Sequence, residues 1–225
     1  KKHPYLLAPV DLQAVKACGV TFAQSMLERV IEEKAKGDPS AAQGIRNDIQ
    51  KVIGLDLESI IPGSSEAEQL KEVLIKKGMW SQYLEVGIGP DAEVFTKAQP
   101  MSVMGIGAQI GILEKSEWNN PEPEITLAVN ARGKILGATL GNDVNLRDIE
   151  GRSALLLGKA KDNNASAAIG PFIRLFDENF SLDDVRMAEL SLTVRGLDQF
   201  TLHGRSSMSK ISRDVADLVD ETIGR

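Results

Sequence analysis

Two hydrophobic periods divide the chain near Trp80. Before it, apolar residues recur at helical spacing. Asp11 to Lys36 reads as helical through much of its length, interrupted near Gly19, with Met26, Leu27, Val30 and Ile31 opposite acidic positions. Gly37-Asp38-Pro39 ends that run. Ala41 to Ile53 carries Ile45, Ile49, Val52 and Ile53 and predicts a second amphipathic helix. Ser65-Glu66-Ala67-Glu68 has the form of a capping box for a third, Glu66 to Lys77. Past Trp80, short runs of period two alternate with Gly, Pro and Asn turns. Glu93 to Phe95, Ile125 to Val129, Ile135 to Leu140, Leu190 to Val194 and Phe200 to His203 predict strands. Asp183 to Glu189 reads as a polar connection with a short turn, and Ser209 to Ile223 as a closing helix with Ile211, Val215, Leu218 and Val219 on one face. Gly87-Ile88-Gly89 and Gly105-Ile106-Gly107 lack dinucleotide-loop spacing and read as turns.

The expected organisation is an N-terminal helical block or cap over residues 1–80 and a β-rich catalytic domain over residues 81–225. Composition narrows the class. A net charge of −6 and a pI near 5.1 argue against a nucleic-acid protein. No apolar run approaches the roughly 20 residues of a membrane span. No signal peptide is visible, and Cys18 stands alone, so no internal disulfide forms. Cytoplasmic location is the default expectation. Cys18 itself reads as a small buried residue rather than a nucleophile.

Candidate chemistry concentrates in one stretch. Glu122 and Glu124 share a strand face, because residues i and i+2 point the same way. Ala131-Arg132-Gly133 turns the chain, and the returning strand can bring Asp143 beside them. Three clustered carboxylates repel unless a cation neutralises them, and a hard divalent ion with oxygen ligands is the natural partner: Mg²⁺ or Mn²⁺, with Ca²⁺ as an alternative. Spacing alone leaves the other reading open, since Glu-x-Glu on a strand is commonly a solvated face. Lys161 likewise reads on its own as a surface lysine, and Arg147-Asp148 as a solvated helix start. His203 beside Gly204 reads as structural.

Four elements in order change that balance. Phe95-Thr96-Lys97-Ala98-Gln99-Pro100-Met101-Ser102, Pro121-Glu122-Pro123-Glu124-Ile125, Gly141-Asn142-Asp143-Val144-Asn145-Leu146-Arg147-Asp148, and Gly158-Lys159-Ala160-Lys161 with Ile169-Gly170-Pro171-Phe172 resemble the fumarylacetoacetate hydrolase superfamily. The third is similar to its "GNDVSARD" element and the fourth to its "AKS…IGP" element; Ser206-Ser207-Met208-Ser209 looks like its "SSM" element. The resemblance implies an α+β fold, a mixed β-sheet roll or barrel of the superfamily's C-terminal type preceded by the helical block. It implies Glu122, Glu124 and Asp143 as metal ligands and Lys161 as an active-site lysine. Arg147, Thr21, Ser102 and Ser207 are expected to line the substrate. It also implies a homodimer or homotetramer. Relatives continue past the last helix, so the domain reads as truncated at its C-terminus.

One departure points to a branch. Many members carry a "GxNYxxHxxE" element whose His–Glu pair activates water. The stretch here is Gly19 to Glu28, with Ser25 at the histidine position and Glu28 retained. Without the histidine that hydrolytic pair cannot form. The Gly19-Val20-Thr21-Phe22 form and the helical insertion after it are similar to the sugar-acid branch, which contains dehydratases of 2-keto-3-deoxy-pentonates. The implied function is divalent-metal-dependent dehydration of such a 2-oxo acid to 2,5-dioxopentanoate, with Lys161 and Glu28 as the proton-transfer pair. The alternative is a hydrolase or decarboxylase of an acylpyruvate or oxo diacid on the same metal site, with Glu28 activating water. A catalytically silent binder of a small 2-oxo acid is a third reading, against which the intact ligands and Lys161 argue.

Overall fold

The computed structural model describes residues 6–35, 44, 47 and 59–224, with the side chains of 28 and 32–35 outside the description. The expected helix over Ala41 to Ile53, its preceding Gly37-Asp38-Pro39 stop and His3 lie outside these residues. In chain order the elements are β1 (Val15–Gly19), α1 (Ala23–Ala35), α2 (Ser65–Lys76), α3 (Gln82–Ile88), β2 (Glu93–Ala98), β3 (Asn119–Asn120), β4 (Pro123–Val129), β5 (Ile135–Asp143) and β6 (Asn145–Leu146). There follow α4 (Arg147–Glu150), α5 (Leu157–Lys161), β7 (Ala167–Leu175), α6 (Leu182–Arg186), β8 (Glu189–Arg195), β9 (Thr201–Ser207) and α7 (Val215–Ile223). The protein is thus α+β, with small antiparallel sheets. It forms two compact units: Lys1–Ala17 with Phe95–Ser209, and Cys18–Val94 with Lys210–Arg225.

The first unit is built around the three-stranded antiparallel sheet β4-β5-β7. The β4–β5 hairpin turns where the sequence predicts. The Asn130 side chain accepts the Arg132 and Lys134 amides at 2.9 and 3.0 Å, and Gly133 takes φ +80°. Strand β7 was not among the expected strands, and it contains Gly170-Pro171. The sheet absorbs it as an irregularity: Ala138 pairs with Arg174 and Leu140 with Gly170, so several residues of β7 face Thr139 alone. Beyond the hairpin the two legs keep company, since β3 pairs antiparallel with β6. Asp148 ties the loop ahead of β3, accepting from Ser116 Oγ at 2.8 Å and the Glu117 amide at 3.0 Å. Leu146, Ile149 and Ala160 pack beneath, with Leu113 and Leu156 against them. The β8–β9 hairpin takes in the predicted Leu190 to Val194, while β9 begins at Thr201, one residue after the expected start, and runs on to Ser207.

The second unit holds the larger apolar cluster: Met26, Val30 and Ile31 from α1, Ile60 ahead of α2, Ala67, Leu70 and Leu74 from α2, and Leu84 and Ile88 from α3. These recur at three- and four-residue spacing, as a helix burying one face requires. Four boundaries differ from expectation. The stretch Val15–Gly19 is strand, not helix. It pairs with β2 some eighty residues on, a partner that local periodicity cannot reveal. The cap of α2 is Ser64, whose hydroxyl accepts from the Ala67 amide at 3.2 Å, one residue ahead of the expected box. Gly87 and Ile88, read as a turn, end α3, which Ser81 caps through the Leu84 amide at 3.4 Å. The closing helix begins at Asp214, which accepts from the Ala216 amide at 2.8 Å, so Ile211 precedes it. Cys18 is half-buried, with its thiol 3.7 Å from Thr222 Oγ1.

Arg213 holds the end of α3. Its buried guanidinium donates to the carbonyls of Val86 at 3.1 Å, Gly89 at 2.7 Å, Pro90 at 3.4 Å and Asp91 at 3.2 Å. One planar fork satisfies carbonyls that the helix end leaves without partners. Arg213→Ala is expected to lower the unfolding free energy by about 2–4 kcal/mol in urea denaturation, because charged hydrogen bonds are lost and the carbonyls stay buried. Arg213→Lys should recover only part of that loss.

Candidate functional site

The carboxylate cluster lies wholly in the first unit, where the hairpin hands over to the paired legs. Register places Glu124 opposite Gly141 and Pro123 opposite Asn142, so Glu122 comes opposite Asp143. The Asp143 amide donates to the Glu122 carbonyl at 2.9 Å, and Asn142 Oδ1 accepts from the Glu122 amide at 3.1 Å. Gly141 is required there, because a Cβ would run into Thr126 Oγ1 beside Glu124. The result is one carboxylate oxygen from each of Glu122, Glu124 and Asp143, all within 4.8 Å of one another.

Two buried lysines face this cluster. Lys161, at the end of α5, donates to Glu122 Oε2 at 2.5 Å and Asp143 Oδ2 at 2.9 Å, with its ammonium 5.5 Å from the centre of the Phe95 ring. Lys97, from β2, lies 2.9 Å from Asp143 Oδ1 as an ion pair and is 2% exposed. It lies within the Phe95–Ser102 motif, which gives no local sign that its lysine is buried. Glu122 is held from its other oxygen. Asn145 donates to Glu122 Oε1 at 3.0 Å and to Glu150 Oε2 at 2.5 Å, and Arg147 reaches Glu150 Oε2 at 3.0 Å. Arg147 therefore joins the cluster through Glu150 and Asn145, and the direct contact with its ligand shell is Asn145, which the sequence reading did not name as a site residue.

The electrostatics follow from burial and charge count. Glu124 is pushed up to about 8, first by burial and then by the neighbouring charges of Asp143 and Glu122, with Lys161 opposing. Burial alone would lower Lys161, but Glu122 and Asp143 together outweigh it and hold the ammonium above its ordinary value. Burial lowers Lys97, with Asp143 opposing. The donor set fits a hard divalent cation: three carboxylates, with neither imidazole nor thiol among them. A fully buried oxygen beside them, Asn145 Oδ1, has no hydrogen-bond partner.

The other expected site residues have these described contacts. Ser102 donates to the Gln99 carbonyl at 3.0 Å, and Gln99 in turn reaches Asp162 Oδ2 at 2.7 Å. Ser207 bonds Glu189 and, at 2.8 Å, Ser209 Oγ. Thr21 and Glu28 belong to the second unit. The Thr21 carbonyl accepts from the Ser212 amide at 2.7 Å, and Glu28 lies in α1, its side chain outside the described residues.

No family model matches the chain. It is similar to a probable 2-keto-3-deoxyxylonate dehydratase of Haloferax volcanii, 33% identical over 153 residues, which are 68% of this chain and 51% of that protein. A 2-dehydro-3-deoxy-D-arabinonate dehydratase of Saccharolobus solfataricus is 40% identical over 94 residues, 40% of this chain and 32% of that one. The chain thus spans about half the length of the first of these relatives and a third of the second. Among solved structures, a 2-keto-3-deoxy-D-arabinonate dehydratase complexed with magnesium and 2,5-dioxopentanoate superposes with a TM-score of 0.60 at 29% identity, over 64% of this chain and 50% of that one. A 5-carboxymethyl-2-hydroxymuconate delta-isomerase from Mycobacterium smegmatis shares the fold over 97% of this chain and 64% of that one, with a TM-score of 0.57 at 19% identity. Sequence and structure alike thus support the resemblance read from the motifs, that of a sugar-acid dehydratase-like member of the fumarylacetoacetate hydrolase superfamily.

Glu124 makes the metal-free protein sensitive to pH. Folding raises its pKa from 4.5 to about 8, so the folded state holds a proton that the unfolded chain releases. Stability is therefore expected to fall as pH rises from about 5 to about 8 and to level off above that. Urea unfolding in chelator across this range checks it: Glu124→Gln should flatten the slope, and an unchanged slope would remove Glu124 as its source.

Proposed function

We propose that the protein carrying this chain is a divalent-metal-dependent sugar-acid dehydratase of the fumarylacetoacetate hydrolase superfamily, converting a 2-keto-3-deoxy-pentonate to 2,5-dioxopentanoate. The observation that carries the reading is the carboxylate triad of Glu122, Glu124 and Asp143, within 4.8 Å, with the Lys161 ammonium on two of its members. The matched relatives named for this reaction support it, as does the neighbour crystallised with magnesium and 2,5-dioxopentanoate.

Glu122, Glu124 and Asp143 would hold Mg²⁺, with Mn²⁺ or Ca²⁺ as alternatives. When bound, the ion supplies electrophilic stabilisation of the negative charge that develops on a 2-oxo acid as its C3 proton leaves. The side chains do the proton work. Lys161 is kept charged by Glu122 and Asp143. Once those carboxylates serve another cation, burial, the largest influence on Lys161, favours the neutral amine. A neutral amine in that place can take the proton from C3, and Glu28 is assigned to departure of the C4 hydroxyl. Loss of that hydroxyl eliminates water and needs no hydrolytic nucleophile, which agrees with Ser25 at the position of the superfamily's histidine.

Arg147 serves on this reading by fixing Glu150 and through it the Asn145–Glu122 contact. Thr21, Ser102 and Ser207 are carried as substrate-lining residues by the resemblance. The same reading takes the strand-rich part as a portion of the superfamily's roll, over residues 81–225, and residues 1–80 as the helical block and cap. It includes a homodimer or homotetramer and a cytoplasmic location. Among the described residues no helix is long and apolar enough to cross a membrane.

The test is turnover of 2-keto-3-deoxy-pentonates with Mg²⁺ by the full-length protein, with 2,5-dioxopentanoate detected through a coupled semialdehyde dehydrogenase. Product should require the metal. Lys161→Ala should lower kcat by about 10²–10⁴-fold, the range for a lost proton-transfer group. Pyruvate released from acylpyruvates or oxaloacetate, with no dioxopentanoate from any pentonate, would assign the site to hydrolysis or decarboxylation.

A further inference from the structure

We propose that Lys97 is a positioning residue, a buried clamp that aims the Asp143 carboxylate and the Lys161 segment at a common point. The inference rests on the metal reading above.

Lys97 Nζ is surrounded by oxygen. Besides the Asp143 Oδ1 ion pair at 2.9 Å, it donates to the Val144 carbonyl at 2.8 Å, the Lys161 carbonyl at 2.5 Å and Ser166 Oγ at 3.2 Å. Ser166 closes the ring by donating to the Lys161 carbonyl at 2.9 Å. One ammonium therefore joins β2, the end of β5, the end of α5 and the residue before β7. An ammonium with every proton engaged, 2% exposed, has no freedom to act as an acid or base during turnover. Its geometry has a consequence at each end. By pairing its charge with Asp143 Oδ1, it leaves Oδ2 as the oxygen that accepts from Lys161. By taking the Lys161 carbonyl, it anchors the backbone from which the Lys161 side chain projects.

The two lysines thus divide the work. Lys161 touches the triad through side-chain oxygens only and can exchange those partners. Lys97 is also bound to two backbone carbonyls and cannot. A planar guanidinium would not fit the same set of converging oxygens, so arginine is not a conservative replacement here.

The experiment is Mn²⁺ titration by calorimetry of wild type, Lys97→Met, Lys97→Arg and Ser166→Ala, with folding checked by circular dichroism. A lysine acting only as a counter-charge repels the incoming cation, so Lys97→Met would tighten Mn²⁺ binding. A clamp predicts the opposite sign: binding weakened about 10–100-fold, as for other residues that orient metal ligands. Lys97→Arg should fail to restore it. Ser166→Ala keeps every charge and removes one strut; it should weaken binding several-fold, and it decides the matter if Lys97→Met does not fold. Unchanged or tighter Mn²⁺ binding in the folded variants overturns the clamp while leaving the metal site standing. Wild-type protein that binds no Mn²⁺ overturns the metal reading and the clamp with it.

Discussion

Mutual repulsion among Glu122, Glu124 and Asp143 is the constraint around which the strand-rich unit is arranged. Carboxylates within 4.8 Å of one another in a half-buried place cannot all carry charge unless cations sit among them. Two lysine ammonium groups supply part of the answer. The third carboxylate, Glu124, answers by keeping its proton to about pH 8 in the metal-free protein. The cluster is therefore balanced at neutral pH without a metal, and becomes fully anionic only when another cation arrives.

The surrounding structure makes sense as support for that balance. The hairpin turn at Asn130 sets the β4–β5 register, and the register puts Glu122 beside Asp143. The β3–β6 pairing extends the same alignment past the hairpin, and Asp148 ties down the loop that leads into it. Asn145, Glu150 and Arg147 hold Glu122 from one side; Lys97 holds Asp143 from the other. Glu122 and Asp143 are thereby oriented by groups that do not themselves belong to the triad.

Much of this was legible before any coordinates. Alternation over Ile125 to Val129 and Ile135 to Leu140 identified the hairpin, and the i, i+2 rule put both glutamates on one face with Asp143 returning to them. What misled was of one kind. Val15–Gly19 looked helical because its strand partner lies far along the chain. Ala167–Leu175 was not among the expected strands, and the strand that accommodates its Gly170-Pro171, β5, lies some thirty residues earlier in the chain. For Arg147, expected near the substrate, the fold adds a pairing with Glu150, three residues on. Lys97 and Asn145 passed as ordinary motif residues.

The division has a physical basis. Side-chain alternation, turn chemistry and capping depend on residues a few positions apart, so the order of residues alone determines the hairpin, the triad's shared face and the apolar stripes of the helices. Which oxygens surround Lys97, which carboxylate retains a proton, and whether a lysine is buried or solvated depend on the distance and dielectric between groups far apart in the chain. Those quantities do not exist until β2, β5, α5 and β7 meet, and it is their meeting that turns three acids and two lysines into a site.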